Sequence, residues 1–270
     1  SGVPTELYAY YGNYACDPQW NITGTWNANF MMVQHLQETP TNNVAGFRDS
    51  TIRNNNGTPW EFGGPGGGTT DAPGRFDGGV LMDGAAHIRC GTGSSLRPNP
   101  LTVEFWVNMP ATAKTRGARN TFISAQLAYW IFQHESNDYL YFHYWNGSGY
   151  AGSYLCTYPN MAANQWYYCA VTYDKNANTA TYYLNGTLRS STTFTTAPAY
   201  SAGTFYIGAY NPGTQYYRMA GTMDEVRISN IARSADWIRT TYNSLNSPET
   251  FFSLADKAEA YPGGSLFMLR

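Results

Sequence analysis

The sequence predicts an all-β chain, built as two antiparallel sheets packed face to face, with one short helix near the C-terminus. Three observations carry this. Charged residues are only 13% of the 270 residues, while 23 Tyr, 13 Phe and 8 Trp supply side chains that suit half-buried pleated surfaces. Short runs alternate at period two: in Leu101–Asn108, Leu101, Val103, Phe105 and Val107 fall on one face and Thr102, Glu104, Trp106 and Asn108 on the other. Turn residues separate these runs, among them Asp83-Gly84, Asn146-Gly147 and the two-residue hairpin signal Asn185-Gly186.

In chain order, the aromatic run Leu7 to Tyr11 ends at Gly12-Asn13 and reads as a strand within an N-terminal segment of residues 1–25. Phe30 to Leu36 reads as a strand, followed by a polar loop from Thr39 to Thr58. Phe62 to Gly79, rich in glycine and broken by Pro65 and Pro73, is expected to be a surface loop without strands. Two short strands follow about Asp83-Gly84, and further strands are expected at Thr121–Ser124, Tyr129–His134, Tyr139–Trp145, Ser153–Tyr158, Trp166–Tyr173, Thr179–Leu184 and Phe205–Tyr210. From Gly221, the apolar bulk of Met223, Val226 and Ile228 makes a last core strand. A helix then starts at the N-cap Ser234, with Ile231, Ile238 and Tyr242 sharing one face. In a C-terminal extension of residues 246–270, Thr250 to Leu254 and Ser265 to Leu269 could add edge strands.

Charge and cysteine usage exclude some partners. A net charge of -2 without a Lys/Arg run leaves no footprint for nucleic acid, and no window reaches the roughly 20 apolar residues of a membrane span. The first residues carry no export signal, so one was removed or was never part of this sequence. Cys16, Cys90, Cys156 and Cys169 lack the spacing of a zinc site. Their even number, in a chain rich in Tyr, Asn and Thr, favours an oxidising setting, outside the cell or on a cell or virion surface. Cys156 and Cys169 sit on consecutive strand-like runs and could meet across a hairpin as a disulfide; the alternative is that all four are small buried hydrophobes.

Several motifs resemble LamG-like domains of the concanavalin A-like lectin and glucanase superfamily: GTMDEVRISNIARS from Gly221, NQWYYCAVTYD from Asn164 with ATYYLNGTL from Ala180, and the segment with Asp49, Ser50 and Asn54 to Gly57. The resemblance spans residues 29–242 and implies a jelly-roll domain over residues 26–245. TELYAYYGN with GTWNANF resembles the end of a β-rich domain of unknown function, which would make residues 1–25 a remnant. The family also implies a structural calcium ion where the first loop meets the last strand, with Asp49 and Asp224 as carboxylate ligands and Asn54 as a further one. Read from the residues alone, Asp49 would equally serve as a turn cap and Asp224 as an acceptor for backbone N–H groups.

For function, the sequence argues against an enzyme. The glucanase relatives carry ExDxE on one strand, which is absent here; Glu104 stands alone and the adjacent Asp224 and Glu225 are expected on opposite faces. His35, His87, His134 and His143 show no ligand or nucleophile spacing. Aromatic abundance points instead to sugar binding, because sugar C–H faces stack on Trp and Tyr while polar neighbours bond the hydroxyls. Trp130, His134, His143, Trp145 and Tyr154 fall on consecutive strands and could line one face, the alternative being that they fill the core, while Tyr216 and Tyr217 fall in a loop and are expected to be exposed. The expectation is therefore a non-catalytic extracellular recognition or adhesion module for a glycan or surface protein. The alternatives are a structural subunit of an extracellular or viral surface assembly, self-associating through its terminal strands, and, behind it, a polysaccharide-degrading enzyme.

Overall fold

The computed structural model describes residues 7–11, 21, 24–63, 68–115, 117–135, 139–156, 161–210, 217–251 and 265–269. Its strands are β1 (Leu7–Tyr11), β2 (Phe30–Gln34), β3 (Thr58–Trp60), β4 (Thr69–Pro73), β5 (Gly78–Asp83), β6 (His87–Arg89), β7 (Leu101–Asn108), β8 (Asn120–Ala125), β9 (Tyr129–Gln133) and β10 (Leu140–Trp145). They continue as β11 (Tyr150–Cys156), β12 (Trp166–Asp174), β13 (Thr179–Leu184), β14 (Thr187–Thr193), β15 (Phe205–Ile207), β16 (Ala220–Ser229) and β17 (Ser265–Leu269). The described residues also hold the helices α1 (Ala111–Thr115), α2 (Ala235–Asn246) and α3 (Pro248–Phe251) and a 3-10 turn at Ser94–Leu96.

Two antiparallel sheets form the sandwich. One has seven strands in the order β11-β10-β9-β8-β15-β6-β3; the other has eight, β14-β13-β12-β7-β16-β5-β4, with β2 also on β16. Period-two alternation decides which side chains meet between them. Val103, Phe105 and Val107 of β7 and Ile228 of β16 face Ile131 of β9 and Phe142 of β10 in one core, where the Phe105 and Phe122 rings stand 5.2 Å apart. Removing a fully buried ring of this kind costs about 3–5 kcal/mol.

β16 is the strand on which the larger sheet turns. It pairs with β7 along one edge; along the other it pairs with β5 through Met223 and with β2 from Val226 onward. The register breaks between Asp224 and Arg227, where Glu225 takes a left-handed φ of 53° as the extra residue of a bulge. One backbone step thus lets a single strand serve two neighbours.

Most expected strands are present, and several details differ. The glycine-rich segment is not strand-free, because Thr69–Pro73 forms β4 at the sheet edge, where Pro73 has no outer partner to deprive of a donor. Thr250 is helical rather than extended, since Pro248 starts the short α3; residues 252–264 lie outside the described ones. Ser265–Leu269 is a strand and pairs with β1, Leu7 opposite Leu269, in a two-stranded sheet separate from the sandwich sheets. Cys156 and Cys169 do not share a hairpin: β11 pairs β10 in one sheet and β12 pairs β7 and β13 in the other. Cys169 is buried in the core with its Sγ 3.7 Å from the Tyr182 hydroxyl, and Cys90 is a buried free thiol; Cys16 lies outside the described residues.

The helix α2 begins where its cap residue predicts. Ser234 is extended, and its hydroxyl accepts the Trp237 N–H at 3.2 Å. Ile238 then packs with Trp106, Tyr168 and Tyr183 on the outer face of the eight-stranded sheet, and Tyr242 stacks on Trp106 at 5.8 Å. Ser234→Ala is expected to lower unfolding free energy by about 1 kcal/mol, read as a shift in urea midpoint at constant slope. An unchanged midpoint would show that the cap contributes nothing.

Candidate functional site

The two outer faces are treated differently by the fold. α2 covers one, whereas the outer face of the seven-stranded sheet carries a continuous layer of rings. In β9, Tyr129 and Ile131 point to the core and Trp130 and Phe132 point away; in β10, Phe142 and Tyr144 point in and Tyr141, His143 and Trp145 point out. Trp130 and Phe132 stack at 4.0 Å, Tyr210 stacks on the far side of Trp130 at 4.4 Å, and Phe132 stacks on Tyr141 at 5.2 Å. His143 meets Phe132 edge-on at 5.0 Å, Trp145 meets Tyr150 at 5.4 Å, and Tyr217 lies 5.5 Å from Trp130. Trp130 and Phe132 are buried beneath the layer, while Tyr141, His143, Trp145, Tyr150, Tyr210 and Tyr217 are half-buried. The layer offers a buried floor with ring edges at its surface.

Polar groups fix this floor. The indole N–H of Trp130 donates to Thr121 Oγ1 at 2.9 Å, and the Tyr150 hydroxyl accepts the Leu127 N–H at 2.7 Å. The Arg119 guanidinium stands 5.1 Å from the Phe132 ring centre, while its Nε bonds Glu135 Oε2 at 3.0 Å; His134 Nδ1 is 3.3 Å from that same oxygen. Behind His143, β11 supplies Gly152, whose φ is 152°; a Cβ there would lie 2.3 Å from the Phe142 carbonyl oxygen and 2.7 Å from His143 Cα. Only glycine lets β11 approach this closely.

The structure therefore brings together Trp130, His134, His143, Trp145 and Tyr217, on a face apart from the inter-sheet core. Tyr154 lies on β11 opposite Tyr141, with its side chain outside the described part, and Tyr216 lies outside the described residues. Sequence reading missed Phe132, Tyr141, Tyr150, Tyr210, Arg119 and Glu135. The first two were accessible to it, since Phe132 stands two positions after Trp130 and Tyr141 two before His143, and such neighbours share a face.

Burial, then the charges of Arg119 and His134, pushes the His143 imidazole down to about 4 from 6.5. Between these values the unfolded chain holds more protons than the folded one at this site. Stability is therefore fully present above about 6.5 and falls as pH drops toward about 4. His143→Phe is expected to lose less melting temperature than the parent between pH 6.5 and pH 4. Parallel melting curves for the two proteins would contradict this.

The carboxylates expected to matter lie on the opposite side of the molecule, and the structure corrects two statements about them. Asp224 and Glu225 do not split to opposite faces, because the bulge turns Glu225 back toward Arg227, which it meets at 2.6 Å, while Glu225 Oε1 also bonds His35 Nδ1. Glu104 is not alone: the Tyr168 hydroxyl donates to it, and β16 sets Arg227 beside it. Burial raises Glu104 above the usual carboxylate range, while His35 and Arg227 overcome burial to hold Glu225 below it. Both are more than nine-tenths buried.

The residues proposed for calcium are engaged otherwise. Asp49 accepts four hydrogen bonds: Oδ1 from the N–H groups of Val33 (2.9 Å) and Thr51 (3.0 Å), Oδ2 from Thr51 Oγ1 (2.9 Å) and the Asn55 N–H (2.8 Å). Asn54 is exposed, and Asp224 Oδ2 accepts the N–H groups of Arg75 and Phe76 at 2.8 and 2.9 Å. Of the two carboxylates only Asp224 Oδ1 is left over, against the six to eight oxygens that calcium takes, and among the described residues no three His, Cys, Asp or Glu side chains gather to hold a metal. The set does not fit a calcium ion. Adding calcium or a chelator is expected to leave the melting temperature unchanged; a rise with calcium, abolished in Asp224→Ala, would restore the ion.

A family model described as concanavalin A-like lectin/glucanases superfamily matches residues 82–239, more than half of the chain. Among solved structures, domain 4 of AbnA, a GH43 extracellular arabinanase from Geobacillus stearothermophilus, in complex with arabinotriose, is similar with a TM-score of 0.58 and 21% identity, over 78% of this chain and 97% of that one. The binding domain of Paraclostridial Mosquitocidal Protein 1 gives a TM-score of 0.62 at 12% identity, over 81% and 53%. The binding domain of Botulinum Neurotoxin DC in complex with SialylT gives 0.56 at 14%, over 80% and 51%. The chain thus spans about half the length of these toxin binding domains. At such identities the likeness is one of fold. No curated protein matches the chain in sequence.

Proposed function

This chain belongs to the concanavalin A-like lectin/glucanase superfamily, and we propose that it is a non-catalytic recognition module whose ring layer on the seven-stranded sheet binds a glycan. The observation that carries the reading is that layer itself: half-buried aromatic edges over a stacked Trp130–Phe132 floor, on the face no helix covers among the described residues. A pyranose or furanose ring can stack its C–H face on Tyr141, Trp145 or Tyr217, while Glu135, His134 and Arg119 offer acceptors and donors to its hydroxyls. The fold supports the binding half of this, since two of its neighbours in structure are binding domains and a third is seen with arabinotriose.

The non-catalytic half rests on the carboxylates. Hydrolysis by a retaining route needs two carboxyl groups about 5 Å apart and open to the sugar. Glu104 and Glu225 are buried and paired with Tyr168, His35 and Arg227, and Glu135 at the ring layer is held by Arg119. An extracellular setting agrees with this role, and no helix of the described residues is long and apolar enough to cross a membrane. The binding unit would be the jelly roll of residues 26–245.

A glycan array probed with the purified chain is expected to show selective binding. Trp145→Ala and Tyr141→Ala should each weaken the best hit by about tenfold or more. Asp236→Asn, on the exposed face of α2, should leave it unchanged. Equal binding by all four proteins would move the site elsewhere, and turnover of the bound glycan would overturn the non-catalytic reading.

A further inference from the structure

A second recess lies at the rim of the sandwich, where the start of β2, the residue after β16 and the 3-10 turn Ser94–Leu96 converge. It is an open recess of about 360 Å³. That volume suits a ligand of about one sugar ring, at the small end of ligand pockets. The wall is built by the hydrogen bonds already traced from Asp49. Asp49 fixes the Asn55 backbone, and the Asn55 side-chain amide donates to the Met31 carbonyl at 2.7 Å and to Ser95 Oγ at 3.0 Å. The loop that carries Arg53 is thereby pinned beside Met31 and the 3-10 turn.

Among the described residues, Arg53 is the one charged residue that lines this recess. The side-chain oxygens of Asn99 and Asn230 are buried without a partner among the described residues, which turns the amide nitrogens of these two lining residues the other way, toward the cleft side. The Arg53 guanidinium and the Ser94 hydroxyl, both on exposed residues, have no protein partner among the described residues. No described Asp or Glu lines the cleft, and Met31 and Pro98 supply apolar surface. Holding two amides with their oxygens inward and unpaired costs about 1–3 kcal/mol for each oxygen. What that orientation provides is a pair of N–H donors beside a planar cation, a set that matches an anion rather than a neutral hydroxyl.

We infer that this cleft binds a carboxylate-bearing monosaccharide unit, a uronate, with the carboxylate on Arg53 and the amides of Asn99 and Asn230 and the ring against Met31 and Pro98. The sugar part rests on the reading of the chain as a glycan binder; the anion part stands on the cleft alone. The two sites share no lining residue.

The test is a titration of the isotope-labelled chain followed by backbone amide shifts, with glucuronate, glucose and inorganic sulfate as probes. Glucuronate is expected to shift the amides of Arg53, Ser94 and Asn230, with binding weakened by added salt. Arg53→Gln should weaken that binding by about tenfold or more, and Asn230→Asp, which sets a like charge against the ligand, should weaken it similarly. Trp145→Ala should leave it intact, so that failure here and failure of the ring layer are read separately. Glucose shifting the same amides as strongly would overturn recognition by charge. Sulfate binding as tightly as glucuronate would overturn the uronate, leaving a plain oxyanion cleft. An absence of shifts at these residues, with Arg53→Gln folded as the parent is, would overturn the site.

Discussion

The rest of the structure depends on the divided pairing of β16. A strand in the middle of a sheet must satisfy its backbone donors and acceptors on both edges, and here one edge faces two different strands in succession. The bulge at Glu225 makes that exchange possible, and it fixes a charge where a sheet would ordinarily bury an apolar side chain. The charge is answered in turn by His35 and Arg227, and Arg227 lies beside Glu104, whose other partner is Tyr168. A buried ionic set of this kind gains little over apolar packing, but losing one member leaves an unpaired charge and costs about 3–5 kcal/mol. The set is a consequence of topology, and it engages two acidic side chains, Glu104 and Glu225.

The same topology leaves the two outer faces unlike. α2 follows β16 directly and folds back over the outer face of the larger sheet, where Trp106, Tyr168 and Tyr183 need cover. The smaller sheet receives no such helix among the described residues, and its outward rings instead shield one another, so that Trp130 and Phe132 are buried although they lie outside the inter-sheet core. Self-shielding by stacked rings leaves edges at the surface with little conformational freedom, which lowers the entropic cost of meeting a ligand.

Much of this was legible in the sequence, and the limits have physical causes. Alternation in Leu101–Asn108 and the turn dipeptides identified the sandwich, and Ser234 marked the start of α2, because period and cap chemistry are local properties. Which strand joins which sheet is not local. Asp83-Gly84 looks the same whether it closes a hairpin or, as here, carries the chain from one sheet to the other, and the Cys156–Cys169 pairing failed for this reason. The opposite-face reading of Asp224 and Glu225 failed because it assumed an unbroken pleat. Trp130 and His134, and likewise His143 and Trp145, share a face by strand period, and the pairing of β9 with β10 sets the two pairs side by side; Arg119, Tyr150 and Tyr210 come from elements whose proximity only the folded chain defines.

Gly152 carries a consequence for how such a layer can change. With no side chain between β11 and His143, the depth of the ring surface at that point is set by backbone contact, and its contour is as invariant as the hydrogen-bonded ladder beneath it. A lineage could remodel the exposed ring edges one by one and retain this ground plane, whereas a single methyl at position 152 would lever the neighbouring strands apart. Selectivity in such an arrangement would diversify from the periphery inward and stop at the glycine.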